Sequence, residues 1–135
     1  MIITDSTFRF IIDQDYIINV IVWGEWVDRD IPAFKTAFEE CLDYVTEHGH
    51  PRLILYDTRN LGSLYFANAK LRGEMVDVFQ HLEFDEVVDF GGSPALKLVI
   101  RMIGKICPNV ARAKFFRTEK KAREYLLRRQ SELTT

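Results

Sequence analysis

Asp57 follows the apolar run Leu53-Ile54-Leu55-Tyr56, and Asp89 stands one residue before the end of a second run, Glu86 to Phe90. Carboxyl ends of strands are where open α/β sheets gather their ligands. Two carboxylates at one sheet edge could share acid and base work. Nothing in the spacing makes these two face each other, and turn or cap hydrogen bonding is the commoner use of such aspartates. Gly91-Gly92-Ser93-Pro94 follows Asp89 directly. Ser before Pro is an N-cap and N1 pair, so a helix starts there. Gly92 and Ser93 sit at its first free N–H groups, a place that can hold an anion. Ser63, after Gly62, stands near the start of another helix, where Gly-Ser is common capping chemistry.

His48-x-His50 offers two nitrogen ligands. A zinc site needs a third or fourth, and no Cys/His cluster supplies it, so both are expected at a solvated helix end. Cys41 and Cys107 lie in apolar surroundings without paired spacing and are expected to be reduced core thiols. The chain has no nucleophile elbow, phosphate-binding loop or dinucleotide fingerprint. It is not expected to be an enzyme, and no metal or cofactor is expected.

Lys97, Arg101 and Lys105 recur every four residues, a narrow basic stripe on one helix. The rest of that helix is apolar: Leu96, Leu98, Val99, Ile100, Met102, Ile103 and Ile106. This apolar arc is wider than one sheet contact needs. A basic amphipathic helix can dock a partner or lie on an anionic membrane surface. Packing on the sheet and touching a second copy, in a homodimer, would also cover it.

The formal net charge of -2 is a cancellation. Residues 1–93 carry 7 Lys+Arg against 17 Asp+Glu, and residues 94–135 carry 11 against 3. Such asymmetry can mark an anionic partner. Nucleic acid is not expected, because no binding module is present and the basic residues are not interleaved with a run of aromatics. The plainer expectation is that a basic C-terminal unit lies over an acidic body.

The elements that would position these residues alternate. Residues 8–12 and 16–26 are rich in β-branched and aromatic types around a short polar break, and predict a hairpin. Phe34, Ala37, Phe38, Cys41, Leu42 and Val45 follow helical spacing, with Gly49 and Pro51 beyond its end. A strand is expected over 53–56, then a polar stretch from Asp57 to Ser63, then a helix carrying Phe66, Ala69, Met75, Val76, Phe79 and Leu82. A strand over 86–90 leads to the helix over 94–107, stopped by Pro108. A strand over 113–116 and a helix capped by Thr118, with Ala122, Tyr125, Leu126 and Leu133 as its apolar stripe, complete the order. Strands alternating with helices predict one α/β domain over residues 1–135 with a largely parallel sheet. The chain of 135 residues can bury a real core, and its 47% hydrophobic content is ordinary for a globular domain. No apolar run reaches the roughly 20 residues of a membrane span, and the N-terminus lacks a signal-peptide pattern, so a cytoplasmic location is expected.

The order of elements and two stretches resemble a known family. Phe116-Arg117-Thr118-Glu119-Lys120-Lys121-Ala122-Arg123-Glu124-Tyr125-Leu126 and Val87-Val88-Asp89-Phe90-Gly91-Gly92-Ser93-Pro94 resemble the SpoIIAA-like branch of the STAS-domain fold, bacterial relatives of anti-sigma factor antagonists. The resemblance covers roughly residues 8 to 130. It implies a mixed sheet of about five strands with an N-terminal hairpin and four helices, and a regulatory role without catalysis. The antagonists' Asp-Ser-Ser-Gly phosphorylation signature does not stand in Asp57-Thr58-Arg59-Asn60-Leu61-Gly62-Ser63. The expected function is a non-catalytic regulatory or interaction module that binds a protein partner or itself. The alternative is binding of a small lipid, apolar or anionic ligand, or an anionic membrane surface, through helix 94–107. The candidate contacts are Asp57, Ser63, Gly92, Ser93, Lys97, Arg101 and Lys105.

Overall fold

Phe8, Phe10 and Ile12 alternate with Arg9 and Ile11, and the alternation makes β2 (Phe8–Ile12) a strand with one fully buried face. In a computed structural model that describes residues 1–62 and 69–134, it pairs antiparallel with β3 (Ile18–Gly24), Phe10 opposite Val20. Asp13 shapes the turn between them, its Oδ1 accepting the N–H groups of Asp15 at 2.9 Å and Ile17 at 3.2 Å. A three-residue edge strand, β1 (Ile2–Thr4), pairs antiparallel on the other side of β2. It is too short to leave a periodic signal in the sequence.

From β3 onward every strand pair is parallel. β4 (Leu53–Leu61), β5 (Glu86–Phe90) and β6 (Lys114–Phe116) follow in turn, so spatial order equals chain order, β1-β2-β3-β4-β5-β6. Parallel crossovers are right-handed, and a sheet that grows in one direction by right-handed crossovers places all of them on one face. That face carries α1 (Asp30–Glu47), α2 (Ala69–Gln80), α3 (Pro94–Gly104) and the short α4 (Pro108–Ala111). Among the described residues, only α5 (Glu119–Thr134) covers the opposite face.

The larger core is aromatic at its centre. Phe34 of α1 meets Phe8 and Phe38 edge to face, each at 5.6 Å, and Phe10 at 5.3 Å. The smaller core sets Leu53, Leu55, Val88 and Phe90 beneath Ala122 and Leu126. Strands buried on both faces read as unbroken apolar runs, which is why Leu53-Ile54-Leu55 lacks alternation.

Among the described residues there are six strands and five helices, against an expectation of about five and four. β1 accounts for the extra strand. Pro108 accounts for the extra helix: it occupies the first turn of α4 rather than only ending α3, which stops at Gly104. β4 also runs to Leu61, well past the expected end at Tyr56. A register shift between Ile21 and Trp23 lets residues 60 and 61 stay paired with β3 after β5 has ended. Leu133, placed by its spacing on the apolar stripe, is 41% exposed in the last turn of α5, beyond Leu126, the last fully buried side chain that α5 gives the smaller core.

Candidate functional site: the cavity beneath α3

Alternation along β4 decides where its polar residues go. Leu53, Leu55 and Asp57 face α5, whereas Ile54, Tyr56 and Thr58 face the crossover helices. On β5, Asp89 pairs in register with Tyr56 and Phe90 with Asp57. Asp57 and Asp89 therefore emerge on opposite faces of the sheet, and the acid–base pairing that their strand-end positions suggested does not form.

Each aspartate has its own partner. Asp57 accepts from Arg59 Nε at 3.0 Å and Nη2 at 2.9 Å, and the same guanidinium lies 5.0 Å from the centre of the Phe90 ring. Asp89 is 3% exposed, and its Oδ2 accepts the Thr58 hydroxyl at 2.6 Å. Burial pushes the Asp89 carboxyl up to about 6, against the lowering effect of the Thr58 hydroxyl and the Gly92 N–H. Asp57, through the sheet, adds to the rise, and Lys97 opposes it. Asp89 Oδ1 is buried without a partner in full hydrogen-bond geometry.

Asp89 and Thr58 close one end of a cavity of about 60 Å³ between the sheet and α3. Its walls are apolar: Tyr56 and Val87 from the sheet, Phe79 from α2, and Leu96, Val99, Ile100 and Ile103 from α3. Apolar walls with a few convergent polar groups, one of them with a displaced pKa, are the lining of a small-molecule site, but at about 60 Å³ this cavity is well below the roughly 300–1,000 Å³ of most such sites. Gly92 must be glycine here, since a Cβ would stand 2.6 Å from Asp89 Oδ1 and 3.0 Å from Thr58 Oγ1. Ser93 caps α3, its Oγ accepting the Leu96 N–H at 3.2 Å, with Pro94 in the first turn. These are the roles their order in the sequence predicts.

α3 has two apolar faces. Leu96, Val99 and Ile103 are buried, whereas Leu98, Met102 and Ile106 are 59%, 51% and 57% exposed. Arg101 and Lys105 are exposed beside this outer strip. Lys97 is half-buried, its Nζ 5.7 Å from the Phe115 ring centre. The basic stripe is thus two solvated cations and one that leans on an aromatic ring. Ser63 lies outside the described residues.

Thr58 was missed in the sequence because residues 57–63 read as a polar loop. The period-2 continuation Tyr56, Thr58 was the signal that would have aligned it with Asp89. The histidines stand at the end of α1 as expected, His48 at its C-cap and His50 stacked on Tyr16 with centroids 3.9 Å apart. Cys41 and Cys107 are free and buried. Among the described residues, no helix is long and apolar enough to cross a membrane. No protein-family model matches the chain, and no curated protein matches it.

Proposed function

We propose that this chain is a non-catalytic regulatory module of STAS-like, SpoIIAA-like fold, located in the cytoplasm, that docks an acidic protein partner on the outer face of α3. The likeness of fold is supported by the N-terminal hairpin, the crossover helices gathered on one face of the sheet and the single C-terminal helix on the other. A non-catalytic role is supported by the separation of Asp57 from Asp89 and by the Arg59 and Thr58 contacts that engage them.

The observation that carries the docking surface is the outer strip of α3. Leu98 and Met102 lie one turn apart on α3 and Ile106 follows in the turn just beyond Gly104, with Arg101 and Lys105 alongside. Apolar residues at this spacing are the anchors of helix-mediated recognition, and the cations select an acidic counterpart. Two copies related by a two-fold axis near Met102 would bring their own basic flanks together, which disfavours self-pairing. An anionic membrane would attract those two cations but repel residues 1–93, with their excess of ten acidic charges.

A photo-crosslinking side chain at position 102, compared with one at Glu39 on α1, tests this in cells. The expected result is a discrete, salt-sensitive adduct with an acidic protein at position 102 only, lost when Arg101→Glu and Lys105→Glu are added. Adducts with lipid, with a second copy of this chain, or none at all overturn the proposal. Sedimentation of the purified chain with phosphatidylglycerol–phosphatidylcholine vesicles would replace it with a membrane function.

A further inference from the structure

β6 stands at the edge of the sheet. Among the described residues β5 lies on one side of it and no strand on the other. The Phe116 C=O accepts the Gly91 N–H at 3.3 Å, so Phe116 faces β5. Successive residues of a strand turn their main-chain groups to opposite sides, so Phe115 presents its N–H and C=O to the open edge. Cations flank that edge on both faces of the sheet. On the α3 side, Arg101, Lys105, Ile100, Ala113 and the Phe115 side chain line a groove of about 340 Å³. On the α5 side, Lys114 Nζ and the Arg128 guanidinium stand 5.9 Å and 5.5 Å from the centre of the Tyr125 ring. Among the described residues, none of these four cations is in an ion pair. Charge on a strand edge ordinarily bars pairing with another chain. Charge of one sign bars a basic strand and admits an acidic one.

We propose that β6 accepts an extended acidic segment of a protein partner as an added strand. The segment pairs main chain to main chain at Phe115. Its alternate side chains set carboxylates against Arg101 and Lys105 on the α3 side and against Lys114 and Arg128 on the α5 side. In strand addition the main-chain bonds supply affinity and the side chains supply selection. β6 has three residues, so those main-chain bonds are few and charge carries a large share of the binding. Two copies of this edge repel each other, which disfavours self-pairing. The inference rests on the reading of an acidic partner, but it concerns β6 rather than the Met102 strip, so the two fail separately.

Titration of the purified chain with an end-capped Glu-Val-Glu-Glu-Val-Glu peptide, followed by amide NMR shifts and hydrogen exchange, tests the edge. Saturable shifts are expected from Ala113 to Arg117, with slowed exchange of the Phe115 N–H. N-methylation of the two central peptide amides should weaken binding about tenfold. Lys114→Glu with Arg128→Glu, both at exposed positions, should weaken it at least about tenfold. Added salt should weaken it too. Equal binding of a Lys-Val-Lys-Lys-Val-Lys peptide or of the N-methylated one overturns the proposal, as does the absence of saturable shifts. Shifts confined to Leu98, Met102 and Ile106 overturn it and leave docking on the outer strip standing. Peptide shifts at β6 without an adduct at position 102 retain the edge and remove the strip. Tighter binding of a uridine hexanucleotide than of the acidic peptide overturns the proposal in favour of nucleic acid. A mass that grows with concentration, with the Phe115 N–H already slow to exchange in the chain alone, overturns it in favour of a second copy.

Discussion

Arg123 of α5 reaches Asp13, 110 positions earlier in the chain, with Nη1 2.6 Å from Oδ2. The same guanidinium donates to Asn19 Oδ1 at 2.7 Å, and Asn19 in turn donates to Asp13 Oδ2 at 3.0 Å. The last helix is therefore pinned to the first hairpin by a closed polar triangle, 29% and 21% exposed at its charged ends. Arg129 makes a second tie, to Glu86 of β5 at 3.1 Å. Two arginines of α5 thus meet acidic positions of the body, whereas Arg101 and Lys105 of the same basic third are solvated.

Arg123→Ala should lower stability by about 2 kcal/mol, read from urea unfolding at pH 7. Burial pushes the Asp13 carboxyl up, but hydrogen bonds from Asn19, Arg123 and two backbone N–H groups outweigh it, and the net shift is downward. A carboxyl with a lowered folded pKa stabilises the protein fully above its unfolded value, about 4, and loses that contribution as pH falls through the folded value. The native chain should therefore lose more stability than Arg123→Ala on acidification below about pH 4.

Asp89 works in the opposite sense. Its folded pKa of about 6 lies above its unfolded value of 3.8. Between those values the folded state binds more protons, so stability falls as pH rises through the window and stays low above it. The difference corresponds to about 3 kcal/mol at most. Asp89→Asn should flatten the stability profile between about pH 4 and 6, and should unfold at higher urea than the native chain at pH 7.5.

Two glycines should respond oppositely to alanine. Gly92→Ala drives a Cβ against Asp89 Oδ1 and, at 3.1 Å, Leu96 Cδ2, and should cost about 1–3 kcal/mol. Gly73 is exposed within α2 with open space around it, and Gly73→Ala should stabilise by about 0.5–1 kcal/mol. Paired thermal melts distinguish steric necessity from backbone freedom.

Leu126 is fully buried in the smaller core, where α5 has only Ala122 as another fully buried side chain. Leu126→Ala should cost about 3 kcal/mol. Hydrogen exchange should then accelerate in α5 before it accelerates in α1, because the two helices rest on different faces.

What was legible in the sequence followed periodicity. α1 and the Ser93-Pro94 start of α3 were readable from spacing and capping residues alone. Whether Asp57 and Asp89 share a face was not legible, because a strand's end and its face are set by its neighbours. The bulge opposite Ile21 and Trp23 that prolongs β4 has no signature in Asp57-Thr58-Arg59-Asn60-Leu61. The apolar excess of α3 was visible, but its division into an inner face at Val99 and an outer strip at Met102 depends on where the sheet lies.

Spatial order that equals chain order has a kinetic consequence. Each strand of this sheet needs only its immediate predecessor, so each parallel pairing closes a single crossover, as from Ile18 to Ile54 or from Val88 to Lys114, rather than reaching across the whole chain. The long closures are concentrated in α5, through Arg123 to Asp13 and Asn19. Substitutions along β3, β4 and β5 should slow folding, whereas those in α5 should chiefly speed unfolding. The helix that seals the second face thus acts as the latch on a sheet already assembled.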